Sequence, residues 1–354
     1  MASSYPLKNI LIIRLSALGD VAMSIPVIYS LCRAYPDVNF TMLTTPVVSR
    51  IFINRPGNLQ VYKAEIRGRH KGIKGIYTLY KELRELSFDG IADLHNVLRS
   101  RLLCALFRFS GVGNARIDKG RSGKREITAR RHKKLRQLPT SFQRYTDVFR
   151  SLGFVFPNRF VSIYGDGKEA SFPEILLPEC DVDRHNIGIA PFAKHSGKIY
   201  PEESMGQVVS MLAQSGKYKI FLFGGGEREI GILNRWASDF PDNVISLAGM
   251  QLGFSGELAL MSRLELLVSM DSANMHLASL VGLPVISVWG ATHPYAGFLG
   301  WNQSLDNAVQ LDLPCRPCSV FGNRPCWRGD YACLNGISPE QIVARIESAI
   351  SAEK

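Results

Sequence analysis

The sequence predicts an α/β fold of two Rossmann-like domains with parallel sheets facing a central cleft. Three observations predict it. The chain of 354 residues is long enough for two cores of about 150 residues each. Short apolar, β-branched runs alternate with helical patterns in both halves, the signature of parallel sheets covered on both faces. Two segments about 250 residues apart, Ile12–Asp20 and Val268–His276, each run from an apolar strand through a small-residue turn holding one Asp into a helix. In open α/β sheets ligands sit at the carboxyl ends of strands, where such turns lie.

In order along the chain, Asn9–Leu15 reads as a buried strand. Asp20–Tyr35 reads as a helix that Pro26 weakens or kinks. Phe40–Leu43 and Gly90–Leu94 are further strands, and Tyr77–Leu86 is a helix between them. Arg116–Arg136 is different in kind, with ten Lys/Arg and two acids. It fits either a solvated loop or a site for an anionic ligand. Gln143–Leu152 returns to helix, and Gly165–Arg184, with Pro173, Pro178 and six acids, reads as a linker or its edge strand.

The second alternation runs Asn186–Ala190 (strand), Pro201–Gln214 (helix), Tyr218–Phe223 (strand), Val244–Leu247 (strand), Ser255–Met261 (helix), Leu266–Ser269 (strand), Asn274–Val281 (helix) and Pro284–Val288 (strand). Ser338–Ala352 has the clearest helix start, with Ser338 as N-cap, Pro339 at the first helical position and Glu340 in the first turn. The expected domains are 1–180, 181–335 and a terminal helix, 336–354, crossing back to the first domain.

The composition is that of a folded globular protein, 46% hydrophobic and 21% charged. The net charge of +11 is uneven: residues 1–180 carry 29 Lys/Arg against 14 Asp/Glu, and residues 181–354 carry 13 against 17. The first half is therefore expected to meet something acidic. No run of 18 apolar residues exists to span a bilayer, and Arg14 and Asp20 interrupt the apolar run nearest the N-terminus. A cytoplasmic location is expected, with the basic half able to touch an anionic membrane surface. Seven cysteines, an odd number, argue against a disulfide framework. Four of them, Cys315, Cys318, Cys326 and Cys333, have a spacing that could close around zinc; reduced thiols or a disulfide pair fit equally.

The chemistry-bearing residues follow the strands. Asp20 opens a helix after Gly19, either as a helix cap or as a base. Lys194 and Lys198 flank the turn after Asn186–Ala190, where Lys198 precedes a Pro-initiated helix and the positive end of its dipole. Gly224-Gly225-Gly226-Glu227 ends a strand. Gly225 offers bare backbone to a flat nucleotide, and Glu227 or Glu229 a carboxylate to ribose. Asp271, Ser272 and His276 surround a helix N-terminus that presents free N–H groups to phosphate. Thr292, in Trp289–Pro294, ends the next strand and could line the same crevice.

The joint order of these motifs, strand–SALGD, strand–K-x-Y-P, strand–GGGE, strand–D-S-x-x-x-H and strand–WGATHP, resembles glycosyltransferase family 9, the lipopolysaccharide heptosyltransferases, over nearly the whole chain. The resemblance implies the GT-B architecture and inverting, metal-independent transfer of L-glycero-D-manno-heptose from its ADP donor, with no cofactor. It makes Asp20 the general base and Lys198, in the family's K-x-W-P motif with Tyr200 in place of Trp, the diphosphate ligand. Asp271, Ser272 and His276 match the donor-binding D-T/S-G-x-x-H pattern, with Ala273 in place of Gly. The implied acceptor is an anionic lipopolysaccharide inner core bearing phosphates and Kdo carboxylates. Arg67, Arg69, Arg121, Arg125, Arg130 and Arg131 are the candidates to bind it by bidentate contacts. Two other functions fit parts of this pattern. A sugar-nucleotide epimerase can share the fold. A nucleic-acid binder with a zinc knuckle explains the charge but not the two Asp turns, and no aromatic lies within 116–136 to stack bases, so no nucleic acid is expected.

Overall fold

The computed structural model describes residues 7–165, 170 and 183–352 of the chain. The expected linker and Cys180 fall largely outside them. The described residues divide into two compact units.

The first unit takes in the described residues up to Lys119 and Ser141–Ile163. In chain order the elements through this region are β1 (Asn9–Ile13), α1 (Leu18–Ala22), α2 (Ile25–Ala34), β2 (Asn39–Thr44), β3 (Leu59–Lys63), α3 (Gly72–Arg84), β4 (Gly90–Asp93), α4 (Leu98–Phe109), β5 (Gly113–Arg116), α5 (Arg121–Ile127) and α6 (Ser141–Ser151). All but α5 belong to this unit. Its five strands are parallel in the order β3-β2-β1-β4-β5. Ile10, Leu11, Ile12 and Ile13 are fully buried because β1 is central and both faces are covered. Helix α3 lays Ile76, Leu79, Tyr80 and Leu83, one stripe at helical spacing, into this core. Each such burial stabilises the unit by roughly 1.5–3 kcal/mol.

The expected helix over Asp20–Tyr35 is two helices. The break falls at Met23-Ser24, which lets Pro26 sit in the first turn of α2, where its missing N–H leaves no ladder bond unmade.

The second unit takes in Gly120–Thr140 and the described residues from Tyr164 onward. Beyond α5 it holds β6 (His185–Ala190), α7 (Glu202–Gln214), β7 (Tyr218–Leu222), α8 (Glu227–Asp239), β8 (Val244–Ser246), α9 (Gly253–Met261), β9 (Leu266–Met270), α10 (Ala273–Leu280), β10 (Val285–Val288), β11 (Ala308–Val309), α11 (Ala332–Asn335) and α12 (Pro339–Ala352). Its six strands are parallel in the order β11-β10-β9-β6-β7-β8. Two open, parallel, Rossmann-like sheets give the chain the GT-B class of fold expected of it.

Two expectations about domain membership are corrected. The basic stretch, expected in the first domain, packs its main part on the second unit. The Leu138 N–H donates to the Tyr295 carbonyl at 2.9 Å, Lys133 Nζ donates to the Pro317 carbonyl at 3.0 Å, and Lys124 and Arg130 lie over the rings of Phe298 and Trp327. Buried Ile127 and Leu138 anchor it, and Arg121–Ile127 is a helix rather than loop. Residues 120–140 carry eight Lys/Arg and one acid into the second unit, so the charge excess is not confined to the first. The terminal helix α12 also belongs to the second unit, rather than crossing back. Its stripe Ile342, Ile346 and Ile350 is buried in the same core as Met205, Val208 and Leu212 of α7.

Candidate active site

In each unit the strand order reverses once, between β1 and β4 in the first and between β6 and β9 in the second. Connections leave to opposite faces there, which opens a crevice at the carboxyl ends of those strands. Asp20, Lys198 and Asp271, three of the residues expected to be functional, lie at these two points.

In the first unit Asp20 stands in α1, just past β1. Arg14, at the end of β1, is buried, and its Nη2 meets Asp20 Oδ2 at 2.5 Å. Its Nη1 donates to the Leu94 carbonyl at 2.7 Å beyond β4, so one guanidinium ties the ends of both strands to the carboxylate. The Ala17 N–H also approaches Asp20 Oδ2, at 3.4 Å, and the Tyr145 hydroxyl donates to the Asp20 carbonyl at 3.1 Å. Both side-chain contacts thus fall on Oδ2, and the side chain remains 33% exposed.

Asp93, the other carboxylate at these strand ends, is fully buried and committed. Its Oδ1 accepts the backbone N–H groups of His95 and Asn96 at 3.0 and 2.8 Å, and its Oδ2 accepts the Ser100 hydroxyl at 3.0 Å. Asp93 builds the turn after β4, whereas Asp20 has an oxygen to offer. His95, on that turn, is held neutral: burial first, then the charges of Arg14 and Lys119, bring its pKa down to about 3.

In the second unit Lys198 ends a short 3-10 turn, Ser196–Lys198, after β6, and Asp271 follows β9. Lys198 Nζ and Asp271 Oδ2 pair at 2.7 Å, with side chains 14% and 4% exposed. The two residues are 73 apart in sequence, and only the pairing of β6 with β9 brings them together. Ser272 is the N-cap of α10, and its hydroxyl meets that of Ser269 at 3.2 Å. The N–H groups of the first turn of α10 lie at this end, with Ser272, Ala273 and Asn274 partly exposed. His276 is buried one turn further along.

The Lys198 turn is braced from behind. The Ala291 N–H donates to the Gly197 carbonyl at 2.8 Å, and the Gly197 N–H to the Gly322 carbonyl at 3.2 Å. A Cβ on Gly197 would stand 2.8 Å from the Gly322 oxygen, and one on Gly322, at φ +70°, 2.6 Å from Lys198 Cγ. Tyr200, which replaces the family's Trp, is buried and donates its hydroxyl to the Ile337 carbonyl at 2.8 Å, meeting the polar requirement of a buried phenol.

The other expected residues divide. Gly225 is exposed with open space at its α-carbon, and its N–H donates to Glu229 Oε2 at 2.9 Å; Glu229 therefore caps the loop. Glu227 is exposed at the start of α8. Thr292 is fully buried, its carbonyl taken by Arg316 Nη2 at 3.0 Å, so it supports the loop rather than lining an open surface. Arg67 and Arg69 are exposed in the first unit, where Arg69 pairs with Glu82. Arg121, Arg125, Arg130 and Arg131 are exposed in the second, so the six arginines do not form one patch within a unit. Among the described residues no three His, Cys, Asp or Glu side chains stand as a ready metal-ligand set.

Arg14, His95 and Arg316 were not singled out from the sequence. The available signal was a charged residue ending an otherwise apolar strand, as Arg14 does; His95 and Arg316 gave none.

The model of glycosyltransferase family 9 (heptosyltransferase) matches residues 76–325. The chain belongs to glycosyltransferase family 9. It is 24% identical over 315 residues to the lipopolysaccharide core heptosyltransferase OpsX of Haemophilus influenzae, covering 86% of this chain and 84% of that one. Among solved structures, a family 9 glycosyl transferase from Veillonella parvula superposes with a TM-score of 0.73 at 20% identity, covering 98% of each chain. The E. coli heptosyltransferase WaaC with ADP superposes with a TM-score of 0.66 at 20% identity, over 96% of this chain and 99% of that one. This family 9 chain is thus a glycosyltransferase. No helix among its described residues is long and apolar enough to cross a membrane.

Proposed function

We propose that this enzyme transfers a heptose, with inversion and without a metal ion in catalysis, from ADP-heptose to an anionic inner-core sugar of lipopolysaccharide. The observation that carries the donor half is the Lys198–Asp271 pair at the strand-order reversal of the second unit, beside the N-terminus of α10. Asp271 fixes one of the three ammonium donors, which aims the others. The lysine and the α10 N–H groups then receive the diphosphate, and they stabilise the charge that grows on it as the glycosidic bond breaks. The related WaaC was solved with ADP. Ser272 adds a hydroxyl at the same end, and His276 supports the helix from the buried side. Gly225 and Glu227 would receive the adenosine.

Asp20 is the general base on this reading. As the acceptor hydroxyl attacks the anomeric carbon from the face opposite ADP, its proton passes to Asp20 Oδ1. Arg14 on Oδ2 holds the carboxylate in place. A base so placed contributes about 10²–10⁴-fold. The exposed arginines in both units suit an acceptor bearing phosphates and carboxylates. They would also favour contact with an anionic leaflet at about 1 kcal/mol per basic residue.

Calorimetric titration with ADP, UDP and GDP in parallel tests the donor half. Selective ADP binding that Lys198→Ala and Asp271→Ala each weaken is expected. Preference for UDP or GDP would remove ADP-heptose as the donor.

A further inference from the structure

We infer that Cys315, Cys318, Cys326 and Cys333 form a structural site for one thiophilic divalent cation, Zn²⁺ by chemistry, in the loop behind the Lys198 turn. The spacing C-x₂-C-x₇-C-x₆-C gathers four of the seven cysteines of the chain within 19 residues. The fold completes what the spacing suggests. All four line a single cavity of about 10 Å³. That is roughly the volume one water or small ion needs. Each of the four is a free thiol. Between β11 and α11 the chain makes only turns and bends, so no strand or helix ladder holds Cys315, Cys318 and Cys326 against a small movement toward Cys333, which is fixed in α11. Such movement is required, because they do not yet stand at ligand spacing.

The charge around the cavity is a second, independent observation. Arg316 lines it and is 4% exposed, yet its guanidinium meets only neutral acceptors: the carbonyls of Gly290, Leu311 and Thr292 and the side-chain oxygen of Gln310. Among the described residues no carboxylate lies at ion-pair distance from it. A buried charge in that position calls for a counter-charge. Arg328 also lines the cavity, and Lys133 Nζ lies on the Pro317 carbonyl between the first two cysteines. Binding balances as one M²⁺ and four thiols giving a tetrathiolate complex of charge −2 and four protons released to solvent. That dianion would supply what Arg316 lacks. No oxidant or reductant takes part.

The site has a structural consequence. The Cys318 and Ser319 N–H groups both donate to the Ala291 carbonyl, at 3.0 and 3.2 Å, and Arg316 Nε donates to that of Gly290 at 2.6 Å. A metal closing the cysteine loop would therefore stiffen the backing of the Lys198 turn without touching substrate.

Elemental analysis of the full chain, purified without a metal-affinity step and dialysed under reducing conditions, is the test. About one equivalent of zinc per chain is expected, falling well below that in Cys315→Ser and in Cys326→Ser. Should the variants fold poorly, Co²⁺ exchange into the wild-type chain gives the second readout, the visible bands and sulfur-to-cobalt charge transfer of a tetrahedral thiolate site. Metal-free protein that takes up neither Zn²⁺ nor Co²⁺, or a disulfide among the four found by mass spectrometry of the reduced preparation, would overturn the inference. None of these outcomes depends on which sugar the enzyme transfers.

Discussion

At the scale of single residues, the two carboxylates at the strand ends of the first unit carry opposite burdens. Every oxygen of Asp93 is taken by a turn it builds. The contacts of Asp20 fall on one oxygen alone. Asp20→Asn, which keeps the shape, is expected to lower the transfer rate by about 10²–10⁴-fold while ADP affinity stays unchanged; initial rates and calorimetry on the same preparation check both halves. A second prediction concerns His95. Its folded pKa of about 3 lies below the ordinary value of 6.5, chiefly because burial disfavours the charged ring. The unfolded chain therefore binds a proton that the folded one refuses. The stability from this residue is complete above about pH 6.5 and is lost as pH falls from there toward about 3. His293, brought down to about 4 by burial and then by Arg316, acts in the same direction. Urea unfolding is expected to show a smaller loss between neutral pH and about pH 5 for His95→Gln than for the wild type. Equal losses would show that His95 does not carry this linkage.

At the scale of elements, the donor half-site depends on three backbone segments packed without side chains between them. Gly197, Ala291 and Gly322 are joined by hydrogen bonds and leave no space for a Cβ on either glycine. Gly322→Ala would add both an unfavourable φ and a methyl against Lys198, and overpacking of this kind costs about 1–3 kcal/mol. ADP affinity is expected to fall by about tenfold or more, measured by calorimetry, with the fold retained by circular dichroism. The last helix offers a contrasting case. Ile346→Ala opens a cavity between α12 and α7 and is expected to cost about 2–5 kcal/mol in denaturant unfolding, with little change in ADP affinity once the chain is folded. How far the sequence announced each element follows from its burial. β1, β6 and β9 carry apolar stretches buried on both faces and are readable directly. β3 buries only Leu59 and does not alternate, β5 reads Gly-Asn-Ala-Arg, and β11 has two residues, so none carries a periodic signal of its own. Pairing with a neighbour already in place makes them strands.

At the scale of the whole molecule, the order of motifs was enough to name the fold and the family, because each turn sits at the end of a strand with a known partner class. What it left out is what depends on tertiary proximity. Arg14 reaches across two strand ends, Lys198 meets Asp271 through β6 and β9, and Arg316 enters from a distant loop. The basic stretch departs from its expected domain for the same reason. A charge run says that an anion is welcome but not which unit it packs on; buried Ile127 and Leu138, two apolar residues among many cations, decide that. The most direct test of the central claim is to incubate the enzyme with ADP-heptose and a Kdo-bearing lipid A acceptor in chelator, then follow the acceptor by mass spectrometry and the new linkage by NMR. One added heptose in the inverted anomeric configuration, absent with Asp20→Asn, is the expected result. No transfer from ADP-heptose where another nucleotide sugar reacts, or retention of configuration, would contradict it.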